Sequence, residues 1–408
     1  MTSFDVVIAG GGPGGLSAGE AAARAGCSVL ILEQNHEIGS PIRTTGGSFI
    51  QDLRSLNIPE HLYHPIRRFR FLSPNNSVQF EYADPITCVM DVRGVFQFLA
   101  ERAIEAGATI KVATVASAPI LERDFVVGVT AKGPTNPALS IRSKILIDAT
   151  GYRASMLKQS GVHPGYKRFG VGSEYDLFAP NCDQDEVVLI VGSQVAPAGY
   201  AWVFPWGRKR VRVGVGIIHA DSDAHPDRYL DGLVATADRF GVNLKGAHPI
   251  EYHFGLIPSE GLADPFVGNG IMGVGDAAGQ PSALVGEGIR WAIQAGRMAG
   301  SVAGEAVKAN SFSKDFLNRY QKRWESEYGT NLRIAHEINK KLAKFDDAKW
   351  DRKTELLKLF NAHQFGQTLQ ANFVAGWAVP LLWSHPQLLK EGFKVIAERL
   401  KLGSLHFR

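Results

Sequence analysis

Phe4-Asp5-Val6-Val7-Ile8-Ala9-Gly10-Gly11-Gly12-Pro13-Gly14-Gly15 is a short apolar, β-branched run that meets a G-x-G-x-x-G turn. Such a run suits a strand buried on both faces of a parallel sheet. Gly10 permits the tight turn, Gly12 lets a pyrophosphate approach the backbone, and Gly15 lets the next helix pack close to the strand. Pro13 and Gly14 complete the turn. The helix continues from Leu16 to Ala25 and stops at Gly26. Its N-terminal amides and dipole favour a phosphate. A second strand, Ser28-Val29-Leu30-Ile31-Leu32, ends at Glu33, about 20 residues after the glycines, where a carboxylate bonds a ribose. That carboxylate would repel a 2′-phosphate, so an unphosphorylated ribose is expected. Strand, turn, helix, strand and acid in register make Gly10, Gly12, Pro13, Gly14, Gly15 and Glu33 a dinucleotide-binding set.

With 408 residues the chain is long enough for two or three domains. A hydrophobic content of 45% and a charged content of 21% describe a globular protein. The net charge of +4 is unevenly spread: residues 301–408 hold 18 Lys+Arg against 11 Asp+Glu. A solvated helical face accounts for that excess more simply than an anionic partner does. No nucleic-acid module is recognisable. Cys27, Cys88 and Cys182 have neither metal nor redox spacing, so no metal is expected and a reducing compartment suits them. The first strand starts at once, so no signal peptide is read. The expected location is the cytoplasm or its membrane surface.

The nucleotide-binding unit is expected to be discontinuous, drawn from residues 1–65, 89–165 and 255–310. It contains a helix from Val95 to Ala106, stopped by Gly107, and a strand from Ile145 to Asp148. Stretches Val187 to Gly192, Tyr200 to Pro205, Arg210 to Ile217 and Ile250 to Phe254 read as an antiparallel sheet. They define a substrate-side unit of residues 66–88 and 166–254. Residues 311–408 are mostly helical, with breakers at Pro380 and Pro386. The expected class is α/β: a Rossmann-type domain, an antiparallel-sheet domain and a C-terminal helical region.

A second glycine-rich segment follows about 260 residues later. Gly270-Ile271-Met272-Gly273-Val274-Gly275 reads as a strand, Asp276 follows, and a long helix begins near Glu287. This resembles the second FAD motif of the flavoproteins typified by hydroxybenzoate hydroxylase. The resemblance implies noncovalent FAD and a glutathione-reductase/hydroxybenzoate-hydroxylase type of fold. It also implies that Gly275 and Asp276 lie at the ribityl chain, and that a helix N-terminus favours negative charge on the reduced ring. Asp148-Ala149-Thr150-Gly151-Tyr152-Arg153-Ala154-Ser155 is similar to the group's intermediate segment. It departs at Thr150, where an Asp is common, and at Ser155, which falls one residue late. Arg93 matches an FAD-contacting Arg at a helix start.

Pro197-Ala198-Gly199-Tyr200-Ala201-Trp202-Val203-Phe204-Pro205 looks like the Y-x-W-x-F-P signature of geranylgeranyl reductases. Gly286-Glu287-Gly288-Ile289, followed by Ala292, Gly296, Arg297 and Met298, is similar to their GEGI…GRM stretch. Gly39-Ser40-Pro41-Ile42-Arg43 resembles their loop before the flavin ring. The resemblance covers about residues 1–305 and adds Arg43, Gly46, Gly286, Gly288 and Ile289 to the cofactor-binding set. It implies reduction of the isolated C=C bonds of a hydrophobic, prenyl-containing small molecule. Hydride would come from flavin N5 and a proton from a protein group, because no carbonyl stabilises a carbanion. NAD(P)H or a protein electron donor would reduce the flavin.

Tyr200, Trp202 and Phe204 alternate along a strand and so share a face. That face is either an aromatic wall for the chain or plain core. Tyr200 is a candidate proton donor, since an ordinary tyrosine pKa near ~10 keeps it protonated. Thr44 stands where several family members carry a Cys, and joins the three aromatics as a catalytic candidate. Glu287 reads mainly as a partner of the helix dipole.

Leu359 to Leu389 contains no Asp, Glu, Lys or Arg. Gln370, Asn372 and Pro380 interrupt it, and its apolar run falls short of the ~20 residues a span needs. Packed helices are expected. Peripheral membrane docking through Trp377 and Trp383 is a second reading. Rival functions are an aromatic-type monooxygenase using NAD(P)H and O2, and a membrane-associated flavin electron relay. A flavin halogenase needs an early lysine, and the first lysine here is Lys111. The oligomeric state is unknown from these features.

Overall fold

The computed structural model describes residues 2–135 and 137–373. Trp377, Pro380, Trp383 and Pro386 lie outside them. The opening βαβ unit consists of β1 (Thr2–Ala9), α1 (Pro13–Arg24) and β2 (Val29–Leu32). β1 is central, paired in parallel with β2 on one side and with β3 (Leu139–Asp148) on the other. Thr109–Lys111 adds beyond β2 and Ile271–Gly273 beyond β3, both parallel. Val6, Val7, Ile8, Leu30 and Ile31 are buried, as a sheet covered on both faces requires.

Helix α2 (Val92–Glu105) starts three residues before the position the apolar pattern suggests. Asp91 caps it, accepting a hydrogen bond from Gly94 N at 3.0 Å. Helix α3 (Ile289–Ala309) lies directly on α1. A Cβ on Gly296 or Gly300 would stand 2.2 or 2.3 Å from the carbonyl oxygen of Gly14 or Ala18. This backbone-to-backbone approach brings together two glycine-rich segments that are remote in sequence.

The second sheet contains β4 (Phe169–Phe178), β5 (Glu186–Gly192), β6 (Ala196–Gly207), β7 (Arg210–His219) and β8 (His248–Pro258). Their spatial order is β8-β4-β7-β6-β5, extended by Arg68–Leu72 and Ser77–Glu81. β8 runs through position 255, where a unit boundary was expected, because its ladder with β4 continues to Pro258. One face buries Val203, Val213, Val215 and Ile217 with Leu230 and Leu233 of the helix Asp227–Ala235. The opposite face carries Trp202, Leu189 and Phe71.

The last two described C-terminal helices close over that second face, whereas the first packs into the core of the first sheet through Leu317, Tyr320 and Trp324. α4 (Lys314–Trp324) and α5 (Thr330–Leu342) flank a π turn, and α6 (Asp347–Leu357) and α7 (Ala362–Leu369) follow. Two aspartates pin α6 to the sheet. Asp347 accepts from Ser193 N and Oγ at 2.7 and 2.8 Å. Asp351 accepts from Ser73 Oγ, Asn75 N and Asn75 Nδ2 at 2.7–2.9 Å. Phe365 anchors α7, stacked on Phe80 at 4.1 Å and edge-on to Phe69 at 5.0 Å. Phe365→Ala is expected to cost about 3–5 kcal/mol in denaturant unfolding. A cost below about 1 kcal/mol would show that α7 is not docked by this ring. Among the described residues no helix is long and apolar enough to cross a membrane.

Candidate functional site

A cavity of about 1370 Å³ lies between the two sheets. It runs from Gly10–Gly14 and Glu33, past Thr44, Gly275 and Asp276, beneath Tyr200 and Trp202, to Leu342, Trp350 and Phe365 on the C-terminal helices. This exceeds the roughly 300–1,000 Å³ of an ordinary small-molecule site. A dinucleotide and a long chain could occupy it together.

At the first end, Gly12 caps α1 without any side-chain acceptor. A Cβ there would meet nothing within 4 Å, so the backbone faces open cavity. Glu33 is buried and accepts from Gly11 N at 2.8 Å and from Asn35 N and Nδ2 at 2.8 and 2.7 Å. Asp148 is fully buried. It accepts from Thr150 N and Oγ1 at 2.9 and 2.7 Å and from Met156 N and Leu157 N at 2.8 Å. Thr150 Oγ1 in turn accepts from Ser155 N at 2.8 Å. The two departures in that segment therefore form one strut, with Asp148 as its acid.

Asp276 faces the cavity and makes no side-chain hydrogen bond among the described residues. Burial alone raises its carboxyl to about 7. An acceptor placed this way awaits donors such as sugar hydroxyls. Together with the Gly12 cradle and Glu33, it fits FAD.

The folded chain holds the Asp276 proton more tightly than the unfolded chain does. Flavin-free protein therefore loses stability as pH rises from about 4 to about 7. Asp276→Asn is expected to stabilise the flavin-free protein by about 2–4 kcal/mol at pH 8 and by nothing at pH 3. Equal effects at both pH values in denaturant unfolding would exclude titration as the cause.

Over the middle of the cavity, Trp202 on β6 lies flat across β7. A Cβ on Gly214 would stand 2.3 Å from the indole, and one on Gly216 3.1 Å from it. Trp202 Nε1 donates to Glu174 Oε2 at 2.7 Å. Thr45 Oγ1 donates to the same oxygen at 2.5 Å. Glu174 Oε1 meets His253 Nδ1 at 2.8 Å, and His253 Nε2 meets Glu251 Oε2 at 3.1 Å. Behind this group Arg212 is fully buried. It pairs with Asp176 at 3.3 Å, donates to Thr45 O and Met90 O at 2.5 and 3.0 Å, and sits 4.7 Å over the Trp206 ring. It thereby fixes the backbone of the Thr44–Gly46 loop.

Of the residues singled out from sequence, Gly10, Gly12, Pro13, Gly14, Glu33, Arg43, Thr44, Tyr200, Trp202, Gly275, Asp276, Gly286, Gly288 and Ile289 line the cavity. Gly15 lies beneath it, where a Cβ would stand 2.0 Å from Gly10 O. Phe204 and Gly46 line a neighbouring cavity of about 110 Å³, which Thr44 also borders. Arg93 points to Glu37 at 3.7 Å, an acidic partner outside the cavity lining. The Tyr200 hydroxyl donates to Val285 O at 2.5 Å, and burial pushes it well above the ordinary tyrosine range. Glu287 is buried against Arg290 at 2.6 Å, with Ser48 Oγ at 3.2 Å. Glu174, His253, Thr45 and the glycines under Trp202 were not foreseen. Two acids, Glu174 and Asp176, within one strand (Gly170 to Leu177) were the one available signal.

A geranylgeranyl reductase catalytic domain matches residues 169–256, and an FAD-dependent oxidoreductase domain matches residues 5–169. Digeranylgeranylglycerophospholipid reductase 2 of Methanopyrus kandleri is 32% identical over 87% of this chain and 90% of its own length. The digeranylgeranylglycerophospholipid reductase of Methanosarcina acetivorans is 30% identical over 96% of this chain and 98% of its own. In structure, the chain is similar to a geranylgeranyl bacteriochlorophyll reductase-like protein of Thermoplasma acidophilum, with a TM-score of 0.85 and 25% identity. That likeness covers 97% of this chain and all of the other.

Proposed function

The chain belongs to the geranylgeranyl reductase family of FAD-dependent oxidoreductases, and from that premise we propose how its cavity divides its work. The enzyme reduces C=C bonds of isoprenoid chains with FAD. Bound and reduced, FAD supplies the hydride. Glu33 holds the ribose, the α1 amides beside Gly12 hold the pyrophosphate, and Asp276 takes the ribityl hydroxyls. Tyr200 and Trp202 press a flat alkene against the reacting face and exclude water. The apolar walls of α5, α6 and α7 take the rest of the chain. The observation that carries this reading is continuity: one cavity joins the glycine turn, the aromatic face and the apolar helices. A prenyl glycerophospholipid is the proposed substrate, with NAD(P)H or a reduced protein carrier as electron donor.

Anaerobic incubation of dithionite-reduced protein with prenyl glycerophospholipids, prenyl diphosphates and prenyl alcohols tests this by mass spectrometry. A gain of two hydrogens per double bond is expected. No shift in any of them would return the reading to the monooxygenase. Flavin bleaching by NAD(P)H in the absence of oxygen separates the two classes of donor.

A bilayer is the proposed source of the lipid. Ile250, Tyr252, Phe254 and Leu256 are 54, 50, 45 and 37% exposed in alternation along the edge strand β8, and the last two border the cavity. An apolar ridge at the entrance of a lipid-sized cavity fits shallow insertion. Ile250→Glu is expected to weaken vesicle co-sedimentation several-fold while sparing turnover of a water-soluble prenyl diphosphate. Unchanged sedimentation would place the docking face elsewhere.

A further inference from the structure

We infer that Glu251, His253, Glu174 and Thr45 form a proton path from solvent to the reacting face of the cavity, with His253 as its buried store. The path rests on the reductase reading above. Strand register assembles it: β4 and β8 run antiparallel with Glu174 opposite His253. Glu251 lies two residues from His253 and therefore on the same face of β8. Burial falls off along the chain. The side chains of Glu174 and His253 are 3% and 4% exposed, whereas that of Glu251 is 33% exposed. The imidazole bridges its two carboxylates, one on each ring nitrogen, at 2.8 and 3.1 Å. The groups thus form a line of hydrogen bonds and do not converge on a single point. Glu174, His253 and Thr45 all border the cavity.

The chemistry needs such a line. Saturating one C=C bond breaks a π bond and forms two C–H bonds, one from the hydride of reduced flavin and one from a proton. In the forward step, the His253 imidazolium gives its Nδ1 proton to the Glu174 carboxylate, and Glu174 hands one on to Thr45 Oγ1. The Thr45 hydroxyl passes its own proton to the alkene carbon, leaving Glu174 again as carboxylate. The neutral His253 imidazole is then recharged through Glu251 from water. Tyr200 is less suited to this task, because its hydroxyl is already committed to Val285 O.

The charges around His253 support a proton held there. Glu174 bonds it from β4 and Glu251 from β8, Arg212 of β7 acts on it while paired with Asp176, and Arg210 of β7 reaches Glu251 and Asp176. Arg93 of α2 acts on Glu251. Burial pulls the imidazole down and Arg212 opposes its charge. The hydrogen bonds and negative charge of Glu174 and Glu251 outweigh both, and hold it above the ordinary imidazole value.

The test uses the full-length, FAD-loaded protein with a prenyl diphosphate as probe. In histidine-labelled, oxidised, substrate-free protein, the resonance that disappears in His253→Gln is expected to titrate above ~6.5. It should move down in Glu174→Gln. In single turnover of dithionite-reduced protein, Glu174→Gln is expected to keep its flavin and to slow alkene reduction about 100-fold or more. Glu251→Gln should slow it about tenfold and recover with added imidazole buffer. Glu174→Gln working within threefold of the parent rate, with the parent pH profile, would overturn the path alone. If Glu174→Gln does not fold, Glu251→Gln decides: an unchanged rate and an unchanged His253 titration overturn the path. A parent protein that forms no saturated product overturns the reductase reading, and the path with it.

Discussion

Gly12→Val is expected to give a folded protein that holds no flavin. Gly12 has φ −79° and ψ 179°, an extended conformation open to β-branched residues, so the backbone does not resist the change. A Cβ at this position meets no protein atom within 4 Å. The new methyls would instead fill the space before the first amides of α1, where a pyrophosphate has to approach. A 100-fold loss of FAD affinity, about 2.7 kcal/mol, is expected, with the melting temperature of flavin-free protein unchanged. Absorbance near 450 nm after gel filtration reads the first quantity and calorimetry the second. Gly10→Ala provides the contrast. Gly10 sits at φ +118°, and its Cβ would lie 2.1 Å from Ala149 O, so that change should unfold the unit. Full flavin content in Gly12→Val would move the pyrophosphate away from this turn.

Trp202→Ala is expected to keep FAD and to lose alkene reduction by about 100-fold, the scale on which a misplaced reactant loses rate. It should also destabilise the chain by about 3–5 kcal/mol, since the ring is buried and the cavity left behind would not collapse. Gly214→Ala approaches the same phenotype from the other side: its Cβ would stand 2.3 Å from an intact indole and displace it. Flavin absorbance, denaturant midpoint and single-turnover product together distinguish the roles. Flavin lost along with turnover would make Trp202 a support of the FAD site. Undiminished turnover would remove the aromatic wall from the reaction.

The opening βαβ unit was legible because one continuous stretch encodes strand, turn, helix and acid together. Two segments that line the cavity, Gly10–Gly14 and Gly275–Asp276, were legible for the same reason, each being a local motif. Alternation along β6 correctly put Tyr200, Trp202 and Phe204 on one face, but alternation says nothing of what stands opposite. Phe204 faces Gly47, whose Cβ would lie 2.8 Å from its ring, and so borders the smaller cavity. Gly214 and Gly216 look like weak points in a strand until an indole is found lying on them. Glu174 and His253 are 79 residues apart and meet only through the register of β4 with β8. Thr44 drew notice by its place in a motif, whereas its neighbour Thr45 makes the bond to Glu174. The C-terminal helices carry no motif, and their place on the cavity follows from Asp347, Asp351 and Phe365, whose partners lie far upstream.

The pinning of α6 and α7 separates two tasks along the gene. The end of the cavity proposed to hold the flavin is written in residues 10–292, while its far wall is written in residues 338–369. On the proposed function, that far wall acts as a ruler for chain length, encoded apart from the redox chemistry it serves. Exchanging that ruler between relatives, with Asp347, Asp351 and Phe365 kept as its fastenings, should change which prenyl lengths are accepted and leave the flavin potential where it was.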